Sequence, residues 1–159
     1  MKTRNWIALI IVFGMIACGK DKFETKPSLR LKSKNTDIVE VNTGTLRLVL
    51  EFTDKEGDVH DSLWVKKQRL NQRVVPTIRD SILYKIPDYP DKTKGEFEVT
   101  LDYQTILSAI TPPNVPGSNP PRKEPDTLSV KIAVRDKAGN ISDSVSVGTI
   151  IVCRSNPCF

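Results

Sequence analysis

Acidic and amide side chains cluster in two turn-like segments that are far apart in the sequence. Asp54, Glu56 and Asp58 lie in the first segment, and Asp136 and Asn140 lie in the second. Carboxylate and amide oxygens at close quarters suit Ca²⁺, which takes six to eight oxygen ligands. A fold that joins the two segments would therefore create a structural Ca²⁺ site. The alternative is that these residues are turn formers with solvated charges. We expect no other cofactor.

The chain has three cysteines and one histidine, so a four-ligand zinc site would need all of them. Cys153 and Cys158 lie in the terminal segment CRSNPC, where Asn156-Pro157 favours a turn. In an oxidising compartment we expect a disulfide bond between them that ties down the carboxyl terminus. A redox-active pair is the alternative, although that chemistry prefers two intervening residues at the start of a helix.

The residue types of a catalytic triad occur together in His60-Asp61-Ser62. Neighbours along a strand point to opposite faces of the sheet, so these three cannot relay a proton. The sequence contains neither a glycine-rich phosphate loop before a helix nor a zinc-protease motif. We therefore expect no enzymatic activity and a solvated side chain at His60.

Trp64 is the only tryptophan after the first six residues. It alternates with Leu63 and Val65, so either Trp64 or its two neighbours face the core. A tryptophan on the third strand of a sandwich is often buried, which favours the core. If exposed, Trp64 could instead stack on a sugar ring, together with Tyr84 or Tyr89.

Short segments in which apolar residues alternate with polar ones follow one another along the chain. In one of them Leu128, Val130 and Ile132 alternate with Ser129 and Lys131. A period of two is typical of antiparallel strands with one buried face. Residues 28–159 are therefore predicted to form an all-β, antiparallel sandwich of about seven strands. The predicted strands are A (28–33), B (45–52), C (62–70), D (82–86), E (95–103), F (127–135) and G (141–152).

Two segments interrupt this pattern. Gln104–Ile110 is the only candidate for a helical turn. Residues 111–126 contain six of the eleven prolines, which excludes a central strand. This Pro-rich loop is predicted to be extended, polyproline-like and held out from the sandwich. It would serve either as a partner-binding segment or as a spacer.

Alternating strand directions determine which loops share an end of the sandwich. The B–C and F–G loops are expected at one pole with the start of strand A, and the E–F loop and the carboxyl end at the other. This arrangement would bring Asp54, Glu56 and Asp58 to Asp136 and Asn140 and so complete the candidate Ca²⁺ site.

The amino-terminal residues 1–17 have a basic start at Lys2 and Arg4 and an apolar run from Trp6 to Ile16. This run is shorter than the about 20 residues that span a bilayer and has the length of a signal-peptide core. Met15-Ile16-Ala17-Cys18 resembles the lipobox of bacterial lipoproteins. The resemblance implies cleavage before Cys18 and acylation of that cysteine, which anchors the chain in a membrane.

Residues 18–27 are predicted to be a flexible tether, because they are polar and lack apolar periodicity. Lys20-Asp21 is similar to the export tags of Bacteroidetes surface lipoproteins, although Lys22 departs from that pattern. This implies an outer-membrane protein that faces the cell surface or the periplasm. Loss of the leader reduces the 24 basic residues to 22, against 19 acidic ones. A net charge of about +3 is too balanced for a nucleic-acid partner.

Two longer phrases resemble bacterial immunoglobulin-like domains. VRDKAGNISDSV is similar to the last hairpin of these domains, and LEFTDKEGDV to their second strand and the loop after it. Together the two phrases extend over most of residues 28–152. The resemblance implies an immunoglobulin-like domain without a disulfide bond between the sheets.

Four strings have the order Asp, hydroxyl residue, aliphatic residue. They resemble the O-glycosylation motif of exported Bacteroidetes proteins, with acceptors at Ser62, Ser81, Thr127 and Ser144. The alternative is that the Asp-Ser pairs mark the starts of strands.

Together these features predict a non-catalytic, lipid-anchored envelope protein with an adhesion, scaffold or accessory role. Its expected partner is an envelope protein. A glycan is the alternative partner, which would make the domain a module for polysaccharide capture.

Overall fold

The computed structural model describes residues 26–159. The predicted leader (1–17), the lipidation site Cys18 and nearly all of the tether (18–27) lie outside the described residues. The strands are β1 (Ser28–Lys34), β2 (Ile38–Val39), β3 (Thr45–Thr53), β4 (Ser62–Arg69), β5 (Ser81–Lys85), β6 (Lys94–Asp102), β7 (Asp126–Arg135) and β8 (Val145–Val152), with one short helix, α1 (Tyr103–Ile106).

The eight strands form two sheets. One has the order β1-β3-β6 and the other the order β2-β8-β7-β4-β5. All pairings are antiparallel except that of β2 with β8. Residues of both sheets form one buried core cluster. The predicted all-β sandwich is therefore confirmed.

The core follows from the alternation in β3 and β7. In β3, Leu46, Leu48 and Leu50 are fully buried, and in β7 Val130 and Ile132 are as well. Each such side chain contributes about 1.5–3 kcal/mol by its removal from water. The two rows face each other because every second residue of a strand points to the same side.

Most predicted strand bounds agree with the structure to within one residue, and the two larger differences concern β2 and the start of β8. The seven-strand scheme missed β2, which has only two residues. Strand β8 begins at Val145 and not at 141, since Ile141 forms only an isolated bridge with Arg135. Gly148, where the β7–β8 register shifts, has a φ of 91° that suits glycine.

The predicted helical turn at Gln104–Ile110 begins one residue earlier and is shorter. It comprises Tyr103–Ile106 and is capped by Asp102, whose side chain accepts a hydrogen bond of 2.7 Å from the Thr105 amide. Hydrogen bonds from Thr105 hold the pKa of Asp102 below its usual value. The cap explains why the turn starts directly where β6 ends.

The loops occupy the two poles as predicted. At the amino-terminal pole, where the chain enters β1, the Lys137 amide donates to the Asp58 carbonyl and so joins the β3–β4 and β7–β8 loops. At the carboxyl-terminal pole, the Lys123 amide donates to Ser155 Oγ and joins the Pro-rich loop to the end of the chain.

The Pro-rich loop is not the extended segment that the sequence predicted. It folds back as a hairpin in which Asn114 bridges Lys123 and the Val115 amide donates to the Arg122 carbonyl. Asn71 anchors its last residues through bonds to Glu124 and Pro125. Backbone pairing between residues that are not proline explains why six prolines do not keep the loop extended.

The predicted disulfide bond is present. Cys153 and Cys158 are bonded, with their Cα atoms 5.0 Å apart. Cys153 is fully buried directly after β8, so the bond holds the last residues against the sandwich.

Candidate functional site

Three of the five predicted Ca²⁺ ligands meet at the amino-terminal pole. Asp54, Asp58 and Asp136 each offer one carboxylate oxygen, and these oxygens all lie within 4.8 Å of one another. Asp54 and Asp136 are buried and Asp58 is partly exposed. We call these three residues the acidic cluster.

The loop after β3 holds Asp54 in place. Asp54 Oδ2 accepts hydrogen bonds from the amides of Gly57, at 2.7 Å, and Asp58, at 3.1 Å. Gly57 has a φ of 79°, and a Cβ there would lie 3.0 Å from the backbone of Lys92. Glycine is therefore required for the close turn that directs the two carboxylates towards each other.

Asn140 positions the third carboxylate. Its backbone amide donates to Asp136 Oδ1 at 2.7 Å, and its side-chain amide donates to Asp136 Oδ2 at 2.8 Å. The amide that the sequence predicted as a ligand thus orients Asp136. Glu56, the fifth predicted ligand, is exposed and lies outside the cluster, because the turn directs its side chain to solvent.

Two oxygens of the acidic cluster are buried without a hydrogen-bond partner, Asp54 Oδ1 and Asp58 Oδ1. Burial raises the pKa of Asp58 above its usual value, and the neighbouring carboxylates of Asp136 and Asp54 raise it further. The cluster therefore disfavours its own negative charge unless a proton or a cation offsets it.

The expectation that Trp64 lies in the core is wrong. Leu63 and Val65 are buried, whereas Trp64 lies partly exposed on the outer face of the five-stranded sheet. There its ring packs against Arg135, whose guanidinium carbon is 5.3 Å from the ring centroid. A shallow depression of about 360 Å³ beside it is lined by Lys66 and Lys131, among others.

The two predicted aromatic neighbours of Trp64 lie elsewhere. Tyr84 and Tyr89 pack against the core cluster from the inner side. Tyr89 lies beside Phe52 and His60, with ring centroids 6.1 and 4.8 Å away. An aromatic platform of Trp64 with either tyrosine is therefore excluded by the opposite faces that they occupy.

His60 is buried, so the expectation of a solvated side chain is wrong. Its Nε2 lies 3.0 Å from Asp91 Oδ1, and its ring packs on Tyr89. The Ser62 hydroxyl donates its hydrogen bond to Asp61 Oδ2 and not to the imidazole.

The four proposed glycosylation acceptors differ in exposure. Ser81 and Ser144 are exposed, and Thr127 is partly exposed within β7. Ser62 is buried, and its hydroxyl donates to Asp61 Oδ2 at 2.7 Å. In the folded protein Ser62 is therefore closed to a transferase, because only 4% of the residue is exposed.

Sequence reasoning missed a buried charged network at the carboxyl-terminal pole. Asp126 is fully buried beside Arg69 and Arg154, and Lys67 is 2% exposed. The signal was present in β4, where Lys67 has the same parity as the inward-facing Val65. A lysine at an inward position indicates a buried partner for its amine.

No helix within residues 26–159 is long and apolar enough to cross a membrane. No protein-family model matches the chain, and no curated protein matches its sequence.

Proposed function

We propose that this chain is a non-catalytic, lipid-anchored protein of a Bacteroidetes-type outer membrane. Its single domain would act as an adhesion, scaffold or accessory subunit. The lipobox-like residues that end at Cys18 support the anchor. The strands form two packed sheets, and this architecture supports a binding domain. In such a domain the loops and the sheet faces carry the function.

The order of the strands supports an immunoglobulin-like sandwich. Strands β8, β7, β4 and β5 are neighbours in the order G-F-C-C′ of variable-type domains, and β3 and β6 are neighbours like B and E. The short β2 extends the larger sheet beyond β8. As in the bacterial domains that the sequence resembles, no disulfide bond joins the two sheets in the described residues.

The observation that carries the proposal is a set of exposed apolar side chains in the loops at the carboxyl-terminal pole, opposite the end where the chain enters β1. It consists of Val74, Ile78 and Ile110, which are 96%, 37% and 57% exposed. The Ile110 amide donates to the Pro76 carbonyl and the Ile78 amide to the Ser108 carbonyl, so a short ladder holds Ile78 and Ile110 in place. We call it the distal patch. Its position, remote from the proposed anchor, leaves it open to a protein partner.

Ile110→Asp is expected to reduce partner recovery from intact cells by at least about tenfold, because it places a charge in the centre of an apolar contact. The full chain, with an affinity tag in the 18–27 tether, would be crosslinked at the surface of native cells and purified. Mass spectrometry would then quantify each copurified envelope protein.

Ile141→Asp is the matched control, since Ile141 is 46% exposed but lies at the amino-terminal pole. It should leave recovery unchanged. Equal recovery from both variants would show that the distal patch does not bind the partner.

Glycan binding is the second candidate, and the exposure of Trp64 favours it. Lys66 and Lys131 line the depression beside the ring, which suits an acidic sugar. Trp64→Ala should then abolish retention of native surface polysaccharide on the immobilised protein, whereas Ile110→Asp should not. Retention that survives Trp64→Ala would exclude this site.

A further inference from the structure

We propose that the acidic cluster binds one Ca²⁺ ion and that this ion joins the β3–β4 loop to the β7–β8 loop. The inference is independent of the proposed function, because it concerns the loops at the pole opposite the distal patch. It rests on the placement of three carboxylates from two loops and on the atoms that the protein itself leaves without partners.

The most direct support for a cation site comes from Asp54. Its side chain is held rigidly, since Oδ2 accepts two backbone amides, and the residue is 5% exposed. Its other oxygen, Oδ1, is buried and accepts no hydrogen bond. A buried polar atom without a hydrogen-bond partner costs about 1–3 kcal/mol of folding free energy. A bound cation would remove this cost at Asp54 Oδ1.

Asp58, on the other side of the cluster, also has one carboxylate oxygen without a hydrogen-bond partner. This oxygen, Oδ1, is buried. Neither carboxylate can donate to the other while both are ionised, because an ionised carboxylate only accepts hydrogen bonds. A cation bound between them would satisfy both oxygens at once and would offset the charge of Asp136.

The spacing fits calcium. Two oxygens bound to one ion cannot lie farther apart than about twice the metal–oxygen distance, which is roughly 4.6–5.2 Å for Ca²⁺. The three ligand oxygens lie within 4.8 Å of one another. The donor set contains only oxygen, as Ca²⁺ prefers, and the partial exposure of Asp58 leaves room for water to complete the coordination.

Ca²⁺ is expected to raise the melting temperature of the full-length protein in detergent by about 5–10 °C. Unfolding would be followed by circular dichroism in excess EDTA and in about 10 mM Ca²⁺, above the dissociation constants typical of extracellular modules. Isothermal calorimetry should give one ion per chain.

Asp58→Asn should abolish this shift and should also raise the melting temperature in EDTA, because it removes one of three repelling charges. Glu56→Gln is the matched control from the same loop, and it should keep the full shift. If Asp58→Asn does not fold, Asp136→Asn takes its place.

Three outcomes would overturn the proposal. The wild-type protein could fail to respond to Ca²⁺ while Asp58→Asn gains stability in EDTA, which would mean that the carboxylates share a proton. Glu56→Gln could lose the shift as well, which would indicate diffuse binding to surface charge. Finally, Asp58→Asn could retain the shift.

Discussion

Asp126→Ala is expected to lower the free energy of unfolding by about 3–5 kcal/mol, because it removes the acceptor of two buried amides and of Arg69. Arg69 then keeps only its longer ion pair with Glu124, at 3.8 Å. Asp126 is fully buried. Its Oδ1 accepts from Arg69 Nε at 3.0 Å, and its Oδ2 accepts from the amides of Ser108 and Ala109 at 3.2 and 3.1 Å. Arg154 lies 3.9 Å from Oδ2.

The substitution would weaken both segments that Asp126 connects, which are the end of β4 at Arg69 and the loop that contains Ser108 and Ala109. The amides of Ser108 and Ala109 would remain buried without acceptors, and Arg69 would keep its charge with a side chain that is only 6% exposed. Urea denaturation of the wild-type and variant proteins measures the difference.

Asp143→Ala is the control for this experiment. Asp143 also pairs with a cation, Lys26, at 2.5 Å, but its side chain is 96% exposed. Solvent screens such a pair, so its removal should change stability by less than about 1 kcal/mol. Similar losses from both variants would contradict the assignment of Asp126 as the centre of the network.

Most of the fold could be predicted because its strands alternate cleanly. In β7, Leu128, Val130 and Ile132 specify the inward face without ambiguity. A strand of two residues is too short to show an alternating pattern, so β2 (Ile38–Val39) was not predicted. Nor could it reveal that the Pro-rich loop pairs with itself, because that pairing depends on backbone groups of Asn114 and Lys123.

The candidate site was predictable in position but not in detail. Strand direction brought the loops of Asp54 and Asp136 to the same pole. Which side chains turn inward depends on local geometry, and the φ of 79° at Gly57 determines that Asp58 joins the cluster and Glu56 does not.

The side to which Trp64 points was not predictable from its neighbours. Leu63, Trp64 and Val65 are all apolar, so the pattern alone allowed either face. In the structure Leu63, Val65 and Lys67 form the inward row of β4, and Trp64 therefore points outward. A buried lysine in that row contradicts simple apolar patterning and requires polar partners across the core.

Lys67→Met is expected to destabilise the protein by about 2 kcal/mol at pH 7, because two buried carbonyl groups lose their donor. Lys67 Nζ donates to the carbonyls of Thr105 and Leu107 at 2.7 and 2.8 Å, where α1 ends. Lys66→Met is the matched control: Lys66 is the adjacent residue and is exposed on the outer face, so its substitution should have little effect.

The pH dependence distinguishes a buried amine from a solvated one. Burial lowers the pKa of Lys67 from 10.5 to about 8; Arg79 also lowers it, while Asp126 and Asp80 raise it. Between these two values the unfolded chain retains a proton that the folded protein has released. Raising the pH through this window therefore stabilises the folded state.

The wild-type protein should consequently gain stability over Lys67→Met as the pH rises from about 8 to about 10.5, by an amount on the order of 2 kcal/mol. The comparison must be a difference, because burial also raises the pKa of Tyr89 to about 12. Unfolding then releases the Tyr89 proton above its ordinary pKa of 10, which destabilises both proteins equally. Urea denaturation at several pH values gives the difference directly. A difference that stays constant to pH 10.5 would mean that Lys67 keeps its charge in the folded protein, and its bonds to Thr105 and Leu107 would then be those of an ammonium group.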